Sequence, residues 1–296
     1  MPEWKGESSI MRASGCQLNN YYVKIGKDKI FVDYINSRVK IIDFCNISVQ
    51  NIKRLIHFAS KQHMGKIICN CDIENLDNFI KAGFHLEGKI DGYFKGKDAF
   101  CMSYFISKDR TLYNEHSKED LILKQSLNKK DTFIYNSDNS NYHIRNASES
   151  DIGGMIKLFS RTFSTYPSEI FSEDYLKNTL NKKVLYKVAV DNNNRIIGVA
   201  SADLDRENLN AEITDCATHP HYRNKGILSN IIYFLELELK NMEFITLYSL
   251  SRAIHPGINF VLSKHGYTFR GKLINNCNIC GGFENMNIWV KNINMT

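Results

Sequence analysis

The octapeptide Gly83-Phe84-His85-Leu86-Glu87-Gly88-Lys89-Ile90 returns near the C-terminus as Gly266-Tyr267-Thr268-Phe269-Arg270-Gly271-Lys272-Leu273. A repeat of this kind constrains the fold more than any composition, because one folding unit must then serve twice. The match extends beyond the block. A Met in an aromatic-rich, strand-like run follows each copy at nearly the same distance (Met102 and Met286), and a strand-like run precedes each, at residues 66–71 and 244–250. Both of those runs follow an amphipathic helical pattern. Two glycine-turn strands can resemble each other by chance, but the shared order favours an N-terminal half that is a reduced copy of the C-terminal half. The length of 296 residues accommodates one large domain or two ordinary ones.

Residues 114–141 are polar and rich in Asn and Ser, the composition of a linker or surface connection, with room for a short helix near 119–127. The expected domains are therefore 1–140 and 141–296. The second reads in detail. Residues 142–145 form a strand, and Ser148 and Ser150 offer capping oxygens before Ile152, Met155, Ile156 and Phe159 at helical spacing. A second helix carries Leu176 and Leu180. Strands at 184–190 and 195–203 are joined by Asp191-Asn192-Asn193-Asn194, a turn signal, and a third spans 210–218. Leu228, Ile231, Leu235 and Leu239 mark one helix face, followed by a strand at 244–250, a helix at 258–265 and strands at 267–273 and 284–290. The order β-α-α-β-β-β-α-β-α-β-β predicts an α/β (α+β) protein built on a mixed sheet.

Apolar residues make up 43% and charged residues 24%, which excludes a disordered chain. No apolar run approaches the ~18 residues of a membrane span, and the first residues hold no apolar signal segment, so a cytoplasmic protein without a membrane partner is expected. The net charge of +6 suits an anionic ligand or plain solubility, and the spread of basic residues argues against a nucleic-acid partner. The eight cysteines (Cys16, Cys45, Cys69, Cys71, Cys101, Cys216, Cys277, Cys280) are expected to be reduced. Cys277-Asn278-Ile279-Cys280 lacks a second pair at zinc spacing, so no metal is expected.

The chemistry-bearing element is Glu212-Ile213-Thr214-Asp215-Cys216-Ala217-Thr218, then His219-Pro220-His221-Tyr222-Arg223-Asn224-Lys225-Gly226-Ile227-Leu228: a strand, a basic loop and a helix start. Amides in the first turn of a helix lack intrahelical partners and carry partial positive charge, which suits a pyrophosphate. A solvated helix cap is the plainer alternative. In its context the element resembles motif A of the GNAT superfamily of acetyl-CoA-dependent N-acetyltransferases, with Leu228 where that motif carries Gly or Ala. The resemblance covers about residues 142–292. It implies a GNAT acyltransferase fold in the C-terminal half, with acetyl-CoA held at Cys216, Ala217, Thr218, Arg223, Asn224, Lys225, Gly226, Ile227, Leu228 and Asn259. The N-terminal copy has no such loop after Ile41-Ile42-Asp43-Phe44, so it is expected to be a degenerate GNAT-like domain that does not hold CoA.

Further blocks narrow the resemblance. Tyr166-Pro167, Ile170-Phe171, Asn210-Ala211-Glu212, Thr214-Asp215, Ser251-Arg252-Ala253, Gly257, Asn259, Glu284, Met286-Asn287 and Trp289 look like the β-lysine N6-acetyltransferases, as does the N-terminal run from Glu87 to Ala99. The resemblance implies acetylation of the side-chain amine of β-lysine by direct attack in a ternary complex, yielding a zwitterionic osmolyte. A lysine-like ammonium has a pKa of ~10.4, so its deprotonation at neutral pH costs ~4 kcal/mol and calls for a base. Glu212 occupies the position of the base in histone-type GNATs. Asp215 is the second choice, and can instead hold a substrate ammonium. Strand alternation puts the two on opposite faces unless a bulge intervenes. Leu262 stands where many GNATs carry an acid tyrosine, leaving Tyr267, Tyr248 or water for that role. Arg252 is placed to pair the substrate carboxylate, Glu284 and Tyr166 to line the acceptor site, and Asn259 to bond the pantetheine arm or the substrate. Other acceptors (a polyamine, an aminoglycoside, a protein lysine) and a non-catalytic acyl-CoA-binding role are the competing readings, and a homodimer is compatible with all of them.

Overall fold

The computed structural model describes residues 19–44, 46–112, 116–135 and 141–294. Cys16, Cys45 and parts of the polar connection (113–115 and 136–140) lie outside the described residues. The N-terminal half runs through β1 (Tyr21–Ile25), β2 (Asp28–Asp33), β3 (Arg38–Asp43), α1 (Val49–Lys61), β4 (Lys66–Cys71), α2 (Ile73–Lys81), β5 (His85–Phe94) and β6 (Lys97–Phe105). Ser48 starts α1 by accepting the Asn51 amide, and Asp72 starts α2 by accepting the Asn75 amide. Spacing then turns Ile52, Leu55 and Ala59 of α1 onto the buried Ile30, Val32, Val39 and Ile67 of the sheet.

After α3 (His116–Leu127), the C-terminal half comprises β7 (Tyr142–Asn146), α4 (Ile152–Thr162), α5 (Glu173–Thr179), β8 (Val184–Asp191), β9 (Ile196–Asp205), β10 (Asn210–Thr218), α6 (Ile227–Asn241), β11 (Thr246–Arg252), α7 (Pro256–Lys264), β12 (Thr268–Ile279) and β13 (Gly282–Asn292). This is the order read from the sequence, with the last two strands longer than expected. One apolar core lies between the sheet and α4–α5, another between the sheet and α6–α7. No described helix is long and apolar enough to cross a membrane.

The thirteen strands among the described residues join one sheet, in the order β1-β2-β3-β4-β6-β5-β12-β13-β11-β10-β9-β8-β7. The order is mirrored about the β5–β12 junction. In each half the third-from-centre and fourth-from-centre strands are parallel (β4 with β3, β11 with β10), and a helix crosses between them. At the junction the antiparallel register places Gly88 opposite Gly271, the equivalent residues of the two repeat blocks. The halves are thus related by a local two-fold. The glycines are required there. A β-carbon on Gly271 (φ +149) would meet the Glu87 carbonyl oxygen at 2.3 Å, and one on Gly88 the Arg270 carbonyl oxygen at 2.7 Å.

Polar groups lock the junction. Lys66, fully buried, donates to Glu87 and to the Ile274 carbonyl at 2.7 Å each, and Glu87 accepts the Ile274 amide at 2.7 Å. Burial pushes the Lys66 ammonium down to about 8. Arg38 is held by Asp33 at 2.9 Å and donates to the Asn276 carbonyl at 2.7 Å, and Arg110 donates to the Asn275 carbonyl at 2.5 Å. These cations meet β12 where its register slips between Leu273 and Cys277 and its carbonyls are freed from the ladder.

The described part of the polar connection, residues 116–135, is docked rather than loose. Ser263 donates to the Ser126 carbonyl, the amides of Asp131 and Phe133 bond the end of α7, Phe133 stacks on His265 at 4.0 Å and Tyr135 on Tyr233 at 4.6 Å. Its polarity describes the outward face, while a few aromatic groups fix the inner one.

Gly271→Ala is expected to destabilise the protein by roughly 2–4 kcal/mol, since backbone and not a flexible side chain opposes the new methyl. Gly153→Ala, in α4 with open space at its β-carbon, should be neutral or stabilising by a few tenths to ~1 kcal/mol. Thermal melting of the pair measures the difference.

Candidate active site

β10 and β11 pair in parallel only from Asn210↔Thr246 to Glu212↔Tyr248. Beyond that point they diverge, because β10 carries a bulge. Its register on β9 passes from Thr214↔Ser201 to Ala217↔Val199, so Asp215 and Cys216 together oppose Ala200. Asp215 takes up the turn at φ 47, a conformation Asp tolerates better than most residues. The divergence opens a groove of about 560 Å3, walled by Cys216 and Thr218 of β10, Leu250 and Ser251 of β11, the start of α6 and one face of α7. At its mouth, Asn224 (φ 61) and Gly226 (φ 76) are both left-handed, and Gly226 caps α6 with nothing near its β-carbon position. The first-turn amides of Ile227, Leu228 and Ser229 have no intrahelical acceptors. With Arg223 and Asn224 on the same wall, these donors fit a pyrophosphate. Leu228 packs its side chain against the α6 core, which leaves its amide to the loop. Every residue lining this groove belongs to the C-terminal half.

A second cavity of about 430 Å3 meets the groove at Tyr166, Thr214, Asp215, Leu250, Ile279 and Met286. Asp203, Glu212 and Tyr248 stand side by side across β9, β10 and β11. The bulge brings Asp215 to the face of Glu212, the exception to alternation that the sequence left open. Asp215 is buried and accepts the hydroxyls of Tyr186 (2.9 Å) and Ser201 (3.0 Å), with Tyr166 also on it. Glu212 accepts the Tyr248 hydroxyl at 3.3 Å.

Burial raises both carboxyls above their ordinary values; hydrogen bonds hold Asp215 back, and Lys40 and Tyr248 hold back Glu212. The packed cavity wall around it, then the charges of Asp215 and Glu212, raise the Asp203 carboxyl above the usual carboxylate range, although Asp203 keeps an exposed edge. Like charges on directly opposed strand residues repel. A cationic group entering this cavity relieves that repulsion, and a carboxylate with a raised pKa can take its proton.

Of the other expected site residues, Arg252 lines the groove, while Asn259 and Glu284 line neither cavity. Asn259 is fully buried and wholly committed: its oxygen accepts from Ser251, Asn287 and Trp289 at 2.8–2.9 Å, and its amide donates to the Arg252 and His255 carbonyls. It ties β11, α7 and β13 together and lines neither cavity, which corrects its expected contact with cofactor or substrate. Arg252 forks onto Glu284 at 2.6 and 2.5 Å. The two occupy each other, so the open guanidinium expected for a substrate carboxylate is absent here, and Glu284 lines neither cavity.

Ala217 faces the α4 core, and Lys225 lies over the Tyr222 ring, outside the groove wall. Leu262 is buried among apolar neighbours. Of the tyrosines considered as acids, Tyr267 is buried in the α6 core and Tyr248 is on Glu212. Asp203, Tyr186 and Lys40 were not singled out from the sequence. For Asp203, its register opposite Glu212 was the only available signal.

The model of the acetyltransferase (GNAT) family matches residues 152–266. A Methanosarcina mazei protein named beta-lysine N(6)-acetyltransferase is 37% identical over 253 residues, 79% of this chain and 93% of that protein. N-acetyltransferase YodP of Bacillus subtilis is 31% identical over 261 residues, 88% of this chain and 94% of its own. A second beta-lysine N(6)-acetyltransferase, from Methanococcus maripaludis, is 28% identical over 269 residues, 91% of this chain and 97% of its own. These matches cover 79–91% of the chain and so extend into both halves, and with them the chain belongs to the β-lysine N6-acetyltransferase family of GNAT N-acetyltransferases.

Proposed function

We propose that the protein acetylates the N6 amine of β-lysine with acetyl-CoA, releasing N6-acetyl-β-lysine and CoA from a ternary complex. The observation that carries this reading is the acid-rich cavity opening directly into a groove built for an anionic cofactor, with Asp215 and Tyr166 at the join. Relatives named for β-lysine support the choice of amine. Acetyl-CoA supplies an acyl thioester; the amides at Gly226–Ser229 and the Arg223 side chain would hold its pyrophosphate, and Cys216 and Thr218 would flank its pantetheine arm.

Glu212 removes the proton from the N6 ammonium, its raised pKa bringing it closer to that task than an ordinary carboxylate. Asp215, fixed by hydroxyl donors that favour its charged form, stands beside the reacting amine and orients it. Acetylation removes one positive charge from a diamino acid, leaving a net-neutral zwitterion, which suits a compatible solute made in the cytoplasm.

Glu212→Gln should lower kcat by roughly 10²–10⁴-fold with little change in the KM for acetyl-CoA. Because the Glu212 pKa is raised, its basic form is present only above that value. The kcat/KM of the wild type should therefore rise with pH through an acid limb lying above the ordinary glutamate range, and the variant should lose that limb. If Asp215→Asn removes the limb while Glu212→Gln keeps it, the two roles are exchanged. Turnover of spermidine in preference to β-lysine would overturn the choice of acceptor.

Gly226→Ala forces a β-carbon into a left-handed cap, at ~1–2 kcal/mol. Its KM for acetyl-CoA should rise roughly 5–30-fold while the KM for the acceptor stays put, as steady-state kinetics with each substrate varied in turn would show.

A further inference from the structure

We propose that Lys40, carried by the N-terminal half, reads the carboxylate of the acceptor, so that the copy without a cofactor loop serves the reaction by completing the acceptor pocket. The inference rests on the acceptor reading above and deepens it. Its first support is placement. The cavity that joins the groove at Asp215 is walled by both halves, and Lys40 of β3 stands on it with Glu212 of β10. The two residues are counterparts in the doubled sheet. Lys40 lies two residues into the parallel ladder that opens at Arg38↔Lys66, and Glu212 lies two residues into the one that opens at Asn210↔Thr246. The local two-fold through Gly88 and Gly271 therefore sets a cation and the candidate base on the same face, on opposite sides of the junction.

The second support is elimination among the cations nearby. Arg38 is spent on Asp33 and the Asn276 carbonyl, Lys66 on Glu87 and the Ile274 carbonyl, and Arg252 on Glu284. Among the described residues, the Lys40 ammonium makes no hydrogen bond or ion-pair contact, although Glu212 and Asp203 both feel its charge. The Arg38 charge, and then burial, push its pKa down; an arriving carboxylate would offset both.

The third support is the chemistry of the whole cavity. Asp203, Asp205, Glu212 and Asp215 line it and call for ammonium groups. A lysine among them works against a polyamine, because it repels each ammonium. It favours a ligand that brings its own carboxylate along with its amines. The match is a diamino acid, with the amines toward the β9–β10 acids and the carboxylate toward β3.

The test compares acceptors that differ only in the carboxylate: β-lysine against 1,4-diaminopentane, and α-lysine against cadaverine. In Lys40→Met the KM for β-lysine should rise roughly 10–150-fold, the size of one charge-assisted hydrogen bond, while the KM for acetyl-CoA holds. Turnover of 1,4-diaminopentane should rise, since a repelling charge is gone. Lys40→Arg should recover part of the preference. If Lys40→Met lowers the melting temperature, Lys40→Gln repeats the comparison in a folded protein. Equal losses on both members of a pair, or an unchanged preference for the carboxylate-bearing member, would overturn the assignment. So would a wild type that shows no such preference in either pair. A wild type that acetylates α-lysine but not β-lysine overturns the acceptor reading alone, and Lys40 is then judged by the same ratio on α-lysine and cadaverine.

Discussion

Two glycines, Gly88 and Gly271, hold this molecule to its shape. A sheet can continue from one half of the chain into the other only if β5 and β12 come within ladder distance, and at their crossing any side chain would strike backbone. Once that contact forms, the rest follows from position. Lys66, Arg38 and Arg110 fall on the freed carbonyls of β12. Each is a buried cation whose desolvation is offset by partners from the opposite half. Losing one partner of such a set leaves a charge stranded, a far larger cost than the net worth of the intact pair. The junction is therefore specific as well as close.

The bulge on β10 does comparable work at the candidate site. A regular strand would continue its pairing with β11, leaving no groove, and would send Asp215 to the face opposite Glu212. One extra residue opposite Ala200 undoes both. It parts the strands where a long, thin ligand can lie, and it gathers three carboxylates where an amine can meet that ligand. Tyr186 and Ser201 then settle how Asp215 sits, and Tyr248 how Glu212 sits. The groove and the gathering of the acids have a single backbone cause.

What the sequence showed and what it withheld divide along the same physical line. The order of elements in the second half, the loop ending at Gly226 and the repeat about Gly88 and Gly271 are local patterns, and local patterns are written in consecutive residues. Asn259 and Arg252 were assigned to ligands because Asn and Arg in such places often bind them. Their actual partners, Trp289 and Asn287 for one and Glu284 for the other, are set by how β13 lies beside β11. Lys40 gave no signal at all, because the cavity it faces is assembled from strands far apart in the chain. Asp215 was legible as an acid but not as a neighbour of Glu212, since a bulge has no reliable mark when the residue at positive φ is not glycine.

The doubled sheet also fixes an order of assembly. Within each half, strands pair with near neighbours along the chain, but the docking contacts close separations as long as the 243 positions from Ile35 to Asn278. Loop closure of that length is slow to find, and units rich in nearer contacts form ahead of it. The cofactor groove lies wholly in the C-terminal half and is complete once that half has folded. The acceptor cavity is complete only after docking. If the two cavities serve as proposed, a newly made chain would gain the means to hold its acyl donor before the means to select an amine, and its full activity would report the final, longest-range step of folding.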